Sequence, residues 1–149
     1  MPNYAAPITG TFVKVDSKTQ KNPKEPVAPI MQLVARVFCS RNEAHMNHWN
    51  TQSYAQHMAL EGFYEGVLGP IDDLVEDYQA AFGLIGKKLE EDEESEDKDM
   101  EILARLQDDV RWINANRTKI SRGISALENI IDELSMVYLK AIYKLENLH

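Results

Sequence analysis

A chain of 149 residues, 44% hydrophobic and 27% charged, holds enough apolar material for one domain with a sizeable core. Its net charge of −8 sets aside a general nucleic-acid binder, which needs a basic face. No apolar run approaches the roughly 18 residues of a membrane span, no signal-peptide pattern opens the chain, and the lone Cys39 allows no internal disulfide. A cytoplasmic protein is expected, or part of a particle assembled inside a cell.

The N-terminal segment, residues 1–28, reads as an extended arm. Five of the six prolines lie within residues 1–29, and no helical period runs through them. Thr11-Phe12-Val13-Lys14-Val15 alternates weakly, as a short strand would. Lys14, Lys18, Lys21 and Lys24 outnumber Asp16 and Glu25, so the arm is mildly basic. Without arginine or interleaved aromatics, that predicts weak or absent DNA binding. Packing of the arm on a neighbouring subunit is the competing expectation.

Residues 29–149 read as four amphipathic helices. Helix A starts at Pro29, a favoured first helical residue, and carries Ile30, Val34, Val37, Ala44 and His48 along one stripe. A turn over residues 50–53, with Ser53 as N-cap, leads to helix B over residues 54–82. Gly69-Pro70 should kink it, and Gly83 and Gly86 end it. An acidic connection, residues 87–98, follows. Residues 90–99 alone hold eight acids and one lysine, a charge of −7, which leaves −1 for the rest of the chain. Such a run is either a solvated link or a surface that concentrates cations. Helix C is expected over residues 99–116, with Leu103, Leu106, Val110 and Ile113 inward. After a break at residues 121–123, helix D repeats Leu127, Ile131, Leu134, Tyr138, Ala141, Leu145 and Leu148. Four helices with one long B-to-C connection describe an all-α four-helix bundle with a crossover.

The chemistry concentrates on helix B. At ~100° per residue, Glu61, Asp72 and Glu76 lie about 40°, 60° and 100° round the axis from His57. Imidazole and carboxylate ligands on one face suit iron, manganese or zinc. The pairs His57/Glu61 and Asp72/Glu76 are about 16 Å apart at ~1.5 Å per residue, too far to share one ion when metal–ligand bonds are ~2.0–2.2 Å. A second helix B packed antiparallel near Gly66 would bring one chain's His57 and Glu61 to the other's Asp72 and Glu76. Gly62, Gly66 and Gly69 would let such helices approach closely. His48 would join across the A-to-B turn, and His45 is a ligand, a neighbour of a ligand, or neither. The alternative is a solvated helix face carrying unrelated acids. Glu-x-x-His does not occur on two helices, its one instance being Glu146 to His149 at the chain's end, so a di-iron site within one chain is not expected. Trp49 and Trp112 read as core or interface anchors, and Met31, Met46, Met58 and Met136 as packing.

His48-Trp49-Asn50, followed by His57, Glu61, Asp72 and Glu76, resembles the pattern of the Dps family, the mini-ferritins. Glu61 stands where that family has Asp, and the A-to-B turn is about three residues shorter. The resemblance implies a ferritin-like bundle with an intersubunit ferroxidase centre, in which ferrous iron is oxidised by peroxide or dioxygen and stored. It implies dimer-built homo-oligomers, twelve chains closing a shell. Thr51-Gln52-Ser53-Tyr54-Ala55-Gln56-His57 and Asn129-Ile130-Ile131-Asp132-Glu133-Leu134 also resemble ferritin-like proteins of tailed phages, of unassigned function. That likeness implies the alternative of a structural or interaction protein, such as a virion component binding other phage proteins, with no catalysis.

Overall fold

Pro29 opens α1 (Pro29–Asn50) in the computed structural model, which describes residues 27–86 and 100–149. The expected stripe of Ile30, Val34, Val37, Ala44 and His48 is buried, together with Leu33 and Ser40. Helix B forms as two pieces, α2 (Tyr54–Gly66) and α3 (Leu68–Phe82). Pro70 donates no N–H, and its ring collides with the carbonyl four residues back, which is that of Gly66. The break therefore falls at Val67, one turn before Gly69-Pro70. Val67 stays near helical geometry (φ −78°, ψ −19°), and the ladder resumes with Ile71 N–H donating to its carbonyl at 3.1 Å.

Helix α4 (Ile102–Ser121) differs from the expected span at both ends. Asp99 lies outside the described residues, and the helix runs a turn past Asn116 because Ile120 is buried. Ile102, not the half-buried Leu103, joins Leu106, Val110 and Ile113 in the core. Arg122 (φ 53°) and Gly123 (φ 82°) are both left-handed, which reverses the chain at the expected break. Helix α5 (Ser125–Asn147) buries Leu127, Ile131, Leu134, Tyr138 and Ala141, whereas Leu148 falls beyond the helix and is exposed.

The four rods form a ring in which α1 touches α2 and α4, and α5 touches α2, α3 and α4. Arg36 pairs with Asp108 and Asp109 while Glu43 pairs with Arg105, so α1 and α4 run antiparallel. Phe63 meets Tyr138, and Arg122 lies over Phe82, so α2 and α3 run antiparallel to α5. Arg117 pairs with Asp132, and Gln107 with Glu146, which sets α4 against α5 in the same way. Among the described residues all regular structure is helical, and no helix is long and apolar enough to cross a membrane. Residues 1–26 of the arm, including the strand expected at 11–15, and the acidic connection at 87–98 lie outside the described residues.

A buried carboxylate sits where three rods meet. Asp109 of α4 is 2% exposed. It accepts from Arg36 Nη1 at 3.0 Å, from Ser40 Oγ, and from the Tyr138 hydroxyl at 3.4 Å. Burial pushes its carboxyl above the ordinary 3.8, opposed by the Ser40 and Arg36 hydrogen bonds and by the charges of Arg36 and Arg105. The same burial raises the Tyr138 phenol well above its usual value, with Asp109 adding to the effect.

Removing one partner of a buried ion pair strands the other, so Asp109→Ala should cost about 3–5 kcal/mol in urea denaturation at neutral pH. Folded Asp109 holds its proton more tightly than the unfolded chain does. Its contribution is therefore complete below pH 3.8 and fades as pH rises through the raised folded value. The permanently neutral Asp109→Asn should lack this slope, so its stability relative to the parent should improve as pH rises across that window. A constant difference between the two proteins would contradict the assignment.

Candidate metal centre at the corner of the first two helices

The corner between α1 and α2 is built from short polar side chains. Thr51 leaves the helix in an extended conformation, with its N–H still bonded to the Asn47 carbonyl at 3.0 Å. The Ser53 N–H donates to Thr51 Oγ1 at 3.2 Å, and Ser53 Oγ accepts from the Gln56 N–H at 3.2 Å, capping α2. Thr51 Oγ1 also bonds Gln56 Oε1. These contacts start α2 so that His57 faces back onto His48.

The two imidazoles are stacked, with ring centroids 3.6 Å apart and planes tilted by 26°. His48 Nδ1 lies 3.0 Å from the His57 carbonyl, and His57 Nδ1 lies 3.1 Å from the His48 carbonyl. A carbonyl only accepts, so each Nδ1 carries a proton. In a neutral ring that leaves the lone pair on Nε2, the tautomer in which a second partner orients a metal-binding histidine. A lone pair lies in the plane of its ring. With centroids 3.6 Å apart and this small tilt, the two ring planes do not meet within the ~2.0–2.1 Å of a metal–nitrogen bond. As they stand, His48 and His57 cannot ligate one ion together. His48 is 8% exposed, and His57 is half-buried and more open.

Three further rings, Tyr64, His45 and Trp49, join this corner. Tyr64 stacks on His45 at 4.0 Å and meets His48 edge-on at 5.3 Å. His45 also lies 4.5 Å from Trp49, which is 68% exposed and so anchors no core within the chain. Burial raises the Tyr64 phenol, the Glu61 and Glu65 carboxylates add to this, and Arg41 opposes it. Glu61 thus sits beside the ring cluster, half-buried. Tyr64 was not singled out from the sequence. Tyr64 lies two turns after His57, and that interval was the available signal.

Asp72 and Glu76 lie elsewhere, exposed on α3. They border an open groove of about 390 Å3 against α1, whose apolar walls include Met31, Phe38 and Val75. Among the described residues no three His, Cys, Asp or Glu side chains gather as a metal site. The chain brings together His48, His57 and the neighbourhood of Glu61, and holds Asp72 and Glu76 apart from them. Gly62 and Gly69 have open space where a side chain would be, whereas Gly66 is closed by Val137 of α5 at 3.1 Å. Two of the three glycines therefore remain free for a helix from outside, and the third serves the bundle. Met46, Met58 and Met136 are 50%, 42% and 51% exposed and pack little within the chain. Cys39 is half-buried, and burial, with Glu43 beside it, raises its thiol above the ordinary range. That is opposite to what a reactive cysteine needs.

Loss of the α2 cap should loosen the histidine pair. Ser53→Ala should cost about 1 kcal/mol in thermal or urea denaturation and speed amide exchange at Gln56 and His57. An unchanged midpoint together with unchanged exchange would show that the corner does not depend on this cap.

Comparison with known proteins adds one relationship. No curated protein and no solved structure matches the chain. A family model matches residues 48–145, from His48 at the corner to the last turns of α5, and so takes in both halves of helix B and both later helices. By that match the chain belongs to DUF5856, a family of unknown function.

Proposed function

We propose that this protein is a Dps-like, ferritin-type bundle that binds and oxidises ferrous iron at a site shared by two chains. The observation that carries the reading is the reciprocal bonding of His48 and His57, which holds a half-buried imidazole with its Nε2 available, beside Glu61. All four adjacent rod pairs run antiparallel, so α3 and α4 run in the same direction. This supports a crossover along the bundle, the ferritin-like connection.

In this reading His57 and Glu61 supply a nitrogen and an oxygen donor. Asp72 and Glu76 of the partner subunit supply the remaining carboxylates across a two-fold axis through helix B. Open space at Gly62 and Gly69 favours that approach. His48 acts as a positioning residue, holding the His57 ring by its stack and its carbonyl. Iron is the substrate: two ferrous ions give one electron each to peroxide, the O–O bond breaks, and two protons complete two waters. Imidazole with carboxylates also suits manganese and zinc. Dimers of this kind would build the larger shell, twelve chains in the mini-ferritin pattern.

A second reading, a structural or interaction protein such as a virion component, is favoured by the large apolar side chains left open, among them Trp49, Tyr54 and Tyr143. Iron chemistry separates the two. Purified protein given ferrous iron and peroxide should oxidise it at least tenfold faster than the His57→Ala/Asp72→Ala double variant. Equal rates for a variant with unchanged helical content would leave the interaction reading.

A further inference from the structure

The outer face of α5 carries an apolar seam that the bundle does not use. Met136, Leu139 and Tyr143 are 51%, 46% and 61% exposed at i, i+3 and i+7, one stripe of a helix. Side chains that pack inward from the same helix, such as Leu134, Tyr138 and Ala141, lie on the opposite side. Exposed apolar residues scattered singly need no explanation, but a seam of three on one helix line does.

Charge beside the seam identifies what fits it. Glu133 precedes the seam, Lys140 lies within its length and Lys144 follows it, all exposed and on one flank at helical spacing. On the other flank Asp132 and Glu128 are engaged by Arg117, Asp132 through two bonds of 2.6 and 2.7 Å, which leaves Glu133 as the acid facing outward beside the seam. An arrangement with acid at one end and base at the other is complementary to itself when reversed. With a two-fold axis between Met136 and Val137, position 133 of one helix stands level with position 140 of its copy. Position 144 then stands level with Asn129. Two-fold symmetry keeps a flank on the same side in both copies, so Glu133 meets Lys140 twice, and no like charges face each other along that flank. The seam closes between them, with the two Met136 side chains beside the axis.

We propose that α5 is a homotypic docking surface, and that its occupant is α5 of a second copy of this chain, packed antiparallel about Met136. This surface lies on a different rod from the proposed iron site and does not rest on it. If both two-folds operate, a chain with two isologous faces assembles beyond a dimer.

The test uses the full chain free of metal. In a Cys39→Ser background, Met136→Cys should form a disulfide-linked dimer under mild oxidation, because the axis brings the two positions together. Lys140→Glu should shift the mass measured by light scattering to a smaller species, and Glu133→Lys added to it should restore the parent mass. A parent protein that is monomeric, a Lys140→Glu protein of unchanged mass, or a double variant that stays small would each overturn the proposal. Failure of iron oxidation would leave all three readouts as they are, so the two ideas fail separately.

Discussion

One buried carboxylate ties the bundle together. Asp109 is the point at which α1, α4 and α5 exchange hydrogen bonds. An apolar stripe alone allows a helix to slide by a turn or rotate by a fraction of one. A charge in the core does not, because any shift strands it away from Arg36, Ser40 and Tyr138 at the full desolvation cost. The antiparallel setting of α1 against α4 follows from this node, reinforced by Glu43 with Arg105 one turn further along. With α1 fixed, the corner at residues 51–53 has a defined origin, and His57 has a fixed surface to stack on.

The corner shows how an ordinary structural device produces a chemical opportunity. Two short turns capped by Thr51 and Ser53 bring two imidazoles face to face, and each protects the other's Nδ1 with a backbone carbonyl. Stacked in this way the two rings do not serve one ion together, so in the proposed site the two histidines have different tasks. One ring is buried, and the other is more open and keeps its Nε2 lone pair. In the proposed site the remaining donors would come from a second chain, since Asp72 and Glu76 of the same chain sit beyond the break at Val67. A shared site is the economical arrangement for donors divided in this way.

Much of the fold was legible in the sequence because it depends on the 3.6-residue period. The inward stripes of α1 and α5, the break at residues 121–123 and the interruption of helix B were all readable. The kink appeared a turn earlier than its proline because the steric conflict is with the Gly66 carbonyl, four residues before. The buried ion network was not read, although Arg36, Ser40 and Glu43 are spaced along one side of α1 and Asp109 interrupts the apolar stripe of α4. A polar residue in such a stripe looks like noise until its partner on another helix is known. Gly66 was assigned to an outside helix because periodicity reports which residues share a face, not which neighbour covers it. Met46, Met58 and Met136, read as packing, are exposed for the same reason, whereas Met31 does pack against the core. Of the candidate site, the His48–His57 contact and the division between the two ligand pairs were legible. The stacking that prevents joint ligation was not, since ring orientation is set by backbone bonds that no spacing encodes.

The central claim is that nitrogen donors of one chain meet oxygen donors of another. Mixing two defective chains addresses it most directly. Unfolded His57→Ala and Asp72→Ala proteins, combined in equal amounts and refolded together, form hybrid pairs in which one of the two sites is intact. Random pairing about a two-fold predicts recovery of about a quarter of the parent's iron oxidation, where each variant refolded alone shows almost none. No recovery in the mixture, from chains that fold and pair as the parent does, would contradict a shared site.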